Sequence, residues 1–172
     1  MSLLRRDFIV AAGSGAVAGF VGDAWGASDA VDPIADRGPL AGLVAGAAAV
    51  EAPRLAVVAG DQPFVAPALV TRLFERAERD DAGGDEPAAV LATVDGEPDP
   101  THAVYPTAAV ERAGRRLLAE GTRRLRALVA ALERVETRPA DADRRCLFDV
   151  DTPADHRRAR AAAAETGGEV EP

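Results

Sequence analysis

Short apolar runs alternate along the chain with segments in which apolar positions recur at helical spacing. The run Leu55–Ala59 is continuously apolar and rich in β-branched residues, which predicts a strand buried on both faces of a sheet. A helix is predicted to begin at Pro67, because the apolar positions that follow it share one helical face. These positions are Leu69, Val70, Leu73, Phe74 and Ala77.

The alternation continues on both sides of this pair. A helix of small residues is predicted from Gly38 to about Val50, with a proline in its first turn, where the missing N–H costs nothing. Further strands are predicted at Ala88–Val94 and Cys146–Val150, and a short extended piece is predicted to end at Tyr105. Alternating strands and helices predict an α/β fold with three layers and a mainly parallel sheet.

Small polar residues mark the expected starts of the later helices. Thr107 and Thr122 are predicted to cap two helices that Gly121 separates. The segment Thr152–Asp155 has the spacing of a capping box, in which a threonine and an acidic residue three positions later bind each other's backbone N–H groups. A last helix is therefore predicted to follow Thr152.

The first residues differ in character from the rest of the chain. The pair Arg5-Arg6, a weakly apolar stretch and a small-residue exit are together typical of a twin-arginine export signal. The alternative is a buried strand at Phe8–Ala12 that runs into a glycine turn. The glycines of that turn would be Gly13, Gly15 and Gly19.

Length and composition suggest one folded domain with two flanking segments. At 172 residues the chain is large enough for one domain with a real core. We expect an unplaced N-terminal segment over residues 1–28, the domain over residues 29–166, and a disordered tail over residues 167–172. The longest apolar run, Ile9–Val21, is shorter than the about 20 residues that a membrane-spanning helix needs.

Charge and residue usage exclude several classes of function. Acidic residues outnumber basic ones by 28 to 20, so binding of nucleic acid through a basic surface is not expected. Every basic residue is arginine, so no lysine can bind phosphate or act as a nucleophile. Cys146 is the only cysteine, and His102 and His156 are the only histidines. An intrachain disulfide and a metal centre built from cysteine or histidine are therefore excluded.

Three aspartates follow predicted strands, where ligands bind in open parallel sheets. Asp61 comes directly after the Leu55–Ala59 strand, and Asp149 and Asp151 lie at the end of the last strand. Asp149 and Asp151 are two residues apart, so their side chains point the same way in an extended chain. Such carboxylates suit a magnesium ion that bridges to substrate phosphates, although aspartates at these turns also cap helices.

Three blocks of the sequence resemble molybdenum cofactor guanylyltransferases, the MobA-like branch of the nucleotidyltransferases. The blocks are Asp32–Gly42, Val57–Phe64 and Phe148–Pro153, in that order. The resemblance covers most of the chain from Val31 onward. It implies a three-layer fold of the nucleotide-diphospho-sugar transferase type. It also implies transfer of GMP from GTP to the molybdopterin cofactor, with release of pyrophosphate.

The same resemblance implies roles for individual residues. Asp61 would hold magnesium on the GTP phosphates, and Asp32 would help to bind the nucleotide. Asp149 and Asp151 would line the reaction centre. The glycine block would lie against the nucleotide, where small residues permit close approach. Its members are Gly38, Pro39, Leu40 and Gly42.

Two features depart from the family pattern. The family begins with a strand, a glycine-rich phosphate loop and a lysine. Ala11–Gly15 matches that loop only in part, and the chain has no lysine. The elements that normally precede Asp32 need more than 31 residues, so we expect the first strand-loop-helix unit to be missing. We expect its loss to weaken catalysis. In addition, Asp149 and Asp151 stand where guanylyltransferases often carry asparagine.

Several functions therefore stay open beside guanylyl transfer. The glycine and aspartate blocks also suit cytidylyl transfer, the reaction of the sister branch. The missing loop favours a non-catalytic protein that binds nucleotide or cofactor, or that pairs with a complete homologue or a molybdoenzyme. The Arg5-Arg6 pair favours an exported protein, whereas use of GTP favours the cytoplasm.

Overall fold

The computed structural model describes residues 7–12, 16–21, 26–31, 38–59, 62, 64, 67–81, 87–139, 145, 148, 150 and 152–166. The strands along the chain are β1 (Asp7–Ala12), β2 (Ala16–Val21), β3 (Gly26–Val31), β4 (Arg54–Ala59), β5 (Ala89–Val94), β6 (Glu97–Pro106) and β7 (Arg134–Thr137). The helices are α1 (Pro39–Ala49), α2 (Pro67–Asp81), α3 (Thr107–Ala119), α4 (Leu125–Ala130) and α5 (Pro153–Thr166).

The described strands form one sheet in the order β3-β2-β1-β4-β6-β5-β7. β1 pairs with β4, and β5 with β7, in parallel; the other neighbouring pairs are antiparallel. As a result β1, β4, β5 and β7 run in one direction, and β6 runs against them. The sheet is therefore mixed where a mainly parallel one was expected.

A hairpin between β5 and β6 accounts for part of this difference, and β2, which is antiparallel to both of its neighbours, accounts for the rest. The two strands are joined by Asp95 and Gly96, whose φ angles are 51° and 87°. Positive φ at both central residues belongs to the tight turn whose twist matches that of antiparallel strands, and Asp-Gly is a preferred pair there. This hairpin inserts β6, antiparallel, between β4 and β5.

Two hydrophobic clusters place helices on both faces of the sheet. Side chains that alternate along β4 separate them: Leu55 and Val57 pack with α1, α3 and α4, whereas Ala56 and Val58 pack with α2. The five apolar positions predicted for one face of α2 are all buried. The prediction of an α/β fold with three layers is confirmed.

The bounds of several elements agree with the sequence pattern. α1 begins at Pro39 and ends at Ala49, and β4 covers the predicted strand Leu55–Ala59. Gly38 precedes α1 with a φ of 82°, a value that favours glycine. Gly121, with a φ of 83°, ends α3 through hydrogen bonds from its own N–H to Leu118 and from the Thr122 N–H to Leu117.

Two predicted helix caps are wrong. Thr107 is the first residue of α3, and its hydroxyl donates a hydrogen bond of 2.7 Å to the carbonyl of Ala52. Thr122 lies two residues before Arg124, the residue that precedes α4, and no side chain caps that helix. The Thr107 hydroxyl binds a carbonyl that is distant in sequence, and local spacing does not reveal such a contact. The Thr122 N–H belongs to the end of α3.

The ends of the described chain give three further outcomes. β1 covers the predicted strand Phe8–Ala12, and Gly19 lies within β2 instead of in a turn. Strands β2 and β3, not a helix, follow β1 in the described part before Gly38. Of the predicted strand Cys146–Val150, only Phe148 and Val150 are described, and neither belongs to a strand.

The capping box at the start of α5 is confirmed. The Asp155 carboxylate accepts hydrogen bonds from the Thr152 N–H at 3.1 Å and its hydroxyl at 2.6 Å, and the Asp155 N–H donates to the Thr152 oxygen. Among the described helices, none has both the length and the apolar character that crossing a bilayer requires.

Candidate functional site

The carboxyl ends of β1, β4, β5 and β7 lie at one edge of the sheet, because these strands share a direction. Only four residues connect the end of α1 to the start of β4, so α1 runs back from the carboxyl edge and its first turn lies at that edge. α2 follows β4 and begins at the same edge. β6 runs the opposite way and therefore starts there. Ligands of open α/β sheets bind at this carboxyl edge.

The glycine block contributes two exposed residues to the edge. Gly38 and Pro39 are exposed, whereas the Leu40 side chain is fully buried in the core and Gly42 is buried as well. A side chain at position 38 would meet the Cβ atom of Arg123 at 3.3 Å, and the Leu40 N–H donates to the Arg123 carbonyl at 3.4 Å. The segment between α3 and α4 therefore lies beside the start of α1.

The predicted carboxylates are not among the residues that the structure describes. Asp32, Asp61, Asp149 and Asp151 all fall outside them, as does Arg37, an arginine beside the glycine block. Their roles stay predictions. Residues close to Asp61 and Asp149 are described, however, and they show which segments meet.

Phe64 and Phe148 bring two of the sequence blocks into contact. Their ring centroids are 6.2 Å apart, with the ring planes inclined at 50°. The Arg145 guanidinium lies 4.4 Å from the centroid of the Phe64 ring, a cation–π contact, and also donates a hydrogen bond to the carbonyl of Ala162 in α5. Phe64 is three residues after Asp61, and Phe148 directly precedes Asp149. The segment after β4 thus packs against the segment before α5.

Asp99, Thr101 and His102 form a polar cluster at the start of β6. One Asp99 oxygen accepts hydrogen bonds from the Thr101 N–H at 2.8 Å and from its hydroxyl at 2.7 Å. The other lies 2.8 Å from His102 Nδ1. His102 on β6 pairs with Val58 on β4. Because β6 runs antiparallel to β4, Asp99 lies beyond the end of β4, at the carboxyl edge.

Sequence reasoning missed this cluster. The sequence analysis names His102 only as one of the two histidines, and it assigns Asp99 no role. A signal was present, since aspartate two residues before a backbone N–H often accepts its hydrogen bond in a local turn. Asp99 and Thr101 have that spacing.

The electrostatics of Asp99 favour its charged form. Burial acts to raise the pKa of the Asp99 carboxyl group, but the hydrogen bonds from His102 and Thr101 together outweigh burial and hold that pKa below its usual value. The group is therefore a carboxylate at neutral pH and can only accept hydrogen bonds.

The described residues include no metal-binding cluster, and the cavity beside the start of β6 does not favour an anion. Within the part of the chain that the structure describes, no group of three or more His, Cys, Asp or Glu side chains could hold a metal ion. A cavity of about 140 Å³ lies between β6, α4 and β7. Its two arginines, Arg126 and Arg134, approach Glu97 at 4.0 Å and Glu136 at 3.3 Å, so it offers little unbalanced charge to an anion.

Comparison with known proteins gives one family. The family model for the MobA-like NTP transferase domain matches residues 4–166. A curated protein of Natronomonas pharaonis, named "Probable molybdenum cofactor guanylyltransferase", is 38% identical over 135 residues, which are 76% of this chain and 63% of that protein. The chain therefore spans less than two thirds of that relative.

Two solved structures are similar. The molybdopterin-guanine dinucleotide biosynthesis protein A of Archaeoglobus fulgidus superimposes with a TM-score of 0.62 at 26% identity, over 74% of this chain and 64% of that one. A protein of Aquifex aeolicus gives a TM-score of 0.58 at 17% identity, over 72% of this chain and 61% of that one, and supports the fold alone.

Proposed function

We propose that this chain, which belongs to the MobA-like NTP transferase domain family, transfers GMP from GTP to the molybdopterin cofactor and releases pyrophosphate. The names of the Natronomonas relative and the Archaeoglobus structure support this substrate pair. The observation that carries the proposal is the contact between Phe64 and Phe148, because it joins the two segments that bear the predicted carboxylates.

The reaction needs positioning more than a protein nucleophile. An oxygen of the terminal phosphate of the cofactor attacks the α-phosphorus of GTP, and a new P–O bond forms there. The bond from that phosphorus to the oxygen bridging to the β-phosphate breaks, and pyrophosphate leaves with its electron pair. The protein must align the two substrates and offset the charge that builds up on the phosphates.

We assign roles to this chain's residues from the sequence blocks in which they lie. Asp61, on the segment after β4, and the pair Asp149 and Asp151, before α5, would form the carboxylate side of the reaction centre. Asp32 would bind the nucleotide with Gly38 and Pro39. Contact through the rest of the glycine block is not expected, because its buried members face the core. They are Leu40 and Gly42.

A magnesium ion would supply charge neutralisation on the triphosphate. The described residues do not form a site for it. Asp61 would hold it, with Asp149 and Asp151 nearby. Positive charge from the protein must come from arginine, since the chain has no lysine. Arg123 and Arg124 are exposed, and the Arg123 backbone contacts the start of α1, so both are placed to face an anion there.

The test is product formation by the purified chain. GTP, Mg²⁺ and molybdopterin cofactor are mixed with the protein, and pyrophosphate and the dinucleotide product are measured, with CTP in a parallel reaction. We expect cofactor-dependent pyrophosphate release with GTP, and a loss of at least about 100-fold in Asp61→Ala. Glu78→Ala, an exposed change on α2 away from the carboxyl edge, is the matched control and should keep full activity.

Other outcomes would redirect the assignment. Preference for CTP would make the chain a cytidylyltransferase. A folded protein that binds GTP without turning it over would be a non-catalytic nucleotide-binding relative, and equal activity in Asp61→Ala would remove that residue from the site.

A GTP-dependent reaction also requires a compartment that supplies GTP, so we expect the protein in the cytoplasm. Cell fractionation with an antibody to the chain tests this expectation. Recovery of the protein outside the cytoplasmic membrane would support the export signal at Arg5-Arg6 instead.

A further inference from the structure

The sheet of described strands ends at β7 on one side. β7 pairs with β5, and no other described strand lies beside it. A strand at the edge of a sheet presents a row of backbone N–H and C=O groups that can pair with another chain. An open cavity of about 450 Å³ adjoins this strand. It is lined by Ala130, Leu132, Glu133, Arg134 and Glu136.

Hydrogen bonds to β5 show which backbone groups around β7 point inward. The Glu133 carbonyl accepts a hydrogen bond of 2.8 Å from the Ala89 N–H. The Thr137 carbonyl accepts one of 3.4 Å from the Thr93 hydroxyl. Successive residues of a strand point their N–H and C=O groups to opposite sides within the sheet. The backbone groups at positions 133, 135 and 137 therefore face β5.

Arg134 and Glu136 carry the backbone groups that face the open edge. Their side chains are 41% and 40% exposed and lie 3.3 Å apart. Both are on the α4 face of the sheet, where Arg134 lines a cavity with residues of α4. Val135 lies between them on the other face and packs against the α2 cluster. Along the edge a positive, an apolar and a negative residue thus follow one another.

This sequence is complementary to itself when it is reversed. Two symmetric antiparallel registers overlap three residues of β7 in each copy, with outward groups opposite each other. The register centred on Glu136 places two glutamates opposite each other, which is destabilising. The register centred on Val135 places each Arg134 opposite the Glu136 of the other copy. Charge therefore favours the register centred on Val135.

We propose that this chain forms a twofold symmetric dimer through β7, in the antiparallel register centred on Val135. Each Arg134–Glu136 pair across the axis exchanges both backbone hydrogen bonds. The two Val135 side chains lie next to each other on the α2 face, and the two sheets become one continuous sheet. Charge on an edge strand commonly opposes pairing with foreign strands, so the same residues that favour a second copy disfavour other partners. The association does not depend on the reaction that the chain catalyses.

Charge reversal tests both the pairing and its register. Arg134→Glu places glutamate opposite glutamate at both symmetric positions, and Glu136→Arg places arginine opposite arginine. The double variant Arg134→Glu/Glu136→Arg restores opposite charges across the axis. Arg112→Glu, at an exposed position on α3, makes the same change of charge outside β7 and is the matched control.

Sedimentation equilibrium measures the dimer dissociation constant. A contact between two short strands is small, so the dimer should dissociate on dilution, and protein concentrations of about 1–500 µM cover the expected range. We expect each single reversal to raise the dissociation constant about ten-fold or more. The double variant and Arg112→Glu should both stay within about three-fold of the wild type. Thermal melting checks that each variant is folded.

Three results would contradict the proposed dimer. A wild type that stays monomeric up to about 500 µM would exclude it and leave the edge to a strand of another protein. A dimer that neither single reversal weakens would form through another surface. A double variant as weak as the single ones would mean that Arg134 and Glu136 do not lie opposite each other.

Amide hydrogen exchange tests the backbone pairing in the unmodified protein. The Arg134 and Glu136 N–H groups should exchange slowly in concentrated protein. They should exchange about ten-fold faster or more after dilution below the dissociation constant, because the hydrogen bonds across the axis are then lost. The Val135 N–H faces β5 and is the internal reference, whose rate should change less. Rates for Arg134 and Glu136 that do not depend on concentration would overturn the inference.

Discussion

The two faces of the sheet are covered in different ways. On one face α1 packs against both the sheet and α3, and its sequence from Pro39 to Ala49 contains no charged residue. On the other face α2 is a single amphipathic helix, with buried positions from Leu69 to Ala77 and charged residues on its outer side. A helix covered on two sides must be apolar and small all round, whereas a helix covered on one side needs only an apolar stripe.

The two faces also differ in whether their buried polar groups have hydrogen-bond partners. The α1 face contains the larger continuous cluster of buried side chains, and its polar groups, such as the Tyr105 and Thr107 hydroxyls, are hydrogen-bonded to backbone carbonyls. The α2 face contains His102 with a free buried nitrogen. Thus the doubly covered face satisfies these buried polar groups, whereas the singly covered face contains a buried ring nitrogen that no described residue binds.

The sharpest test of this comparison removes the same side chain from each face. Leu43→Ala on α1 and Leu73→Ala on α2 should each lower the free energy of unfolding by about 2–5 kcal/mol. Leu43 should cost more, because it is enclosed between the sheet and α3, whereas α2 can move toward the sheet and fill part of the space. Urea unfolding measures both changes. A larger loss for Leu73→Ala would contradict the two-sided enclosure of α1.

Added volume at the contact between α1 and α3 should lower the free energy of unfolding more than a substitution on the surface. A Cβ atom at Gly114 would lie 2.3 Å from Cγ2 of Val44, so Gly114→Ala should cost about 1–3 kcal/mol through overpacking. Val44→Ala in the same protein removes the clashing atom, and the double variant should lose less than the sum of the two single losses. Additive losses would mean that the helices do not meet at this point.

The contrast between the faces explains how much the sequence predicts. α1, β4, α2 and β5 were predictable because each has a local pattern that packing does not override. The parallel arrangement was not, because the antiparallel placement of β6 depends on the Asp95-Gly96 turn and not on the apolar pattern of the strand. The Thr107 cap was wrong because its hydroxyl binds Ala52, 55 residues away.

The candidate site was predictable by residue type more than by arrangement. The Phe64–Phe148 contact agrees with the expectation that the segments bearing Asp61 and Asp149 meet, although the carboxylates themselves stay predictions. The Asp99–His102 pair escaped the sequence analysis, because the spacing of Asp99 and Thr101 signals only a local turn and does not show that the same carboxylate binds His102.

On the α2 face, Asp99→Asn should lower stability by about 1.5 kcal/mol at neutral pH, since it weakens the hydrogen bonds that a charged acceptor receives. The pKa of Asp99 is lowered in the folded protein, so its contribution is present above the unfolded value of 3.8 and is lost as the pH falls through the lower folded value. The difference between wild type and variant should therefore be constant from about pH 5 to 7 and shrink below about pH 4. A difference that persists at low pH would exclude the charge of Asp99 as its source.

On the α1 face, the corresponding change is Tyr105→Phe, three residues along β6 from His102. Tyr105 is fully buried, and its hydroxyl donates a hydrogen bond of 2.9 Å to the Pro100 carbonyl, so its loss should cost about 1 kcal/mol. Burial, with the nearby Asp99 charge, raises the pKa of Tyr105 above its ordinary value of 10.0. The wild type should thus lose stability as the pH rises through about 10, where the unfolded tyrosine ionises, and the gap to Tyr105→Phe should narrow there. A gap that stays constant through this pH range would mean that burial does not raise the pKa of the Tyr105 hydroxyl in the folded protein.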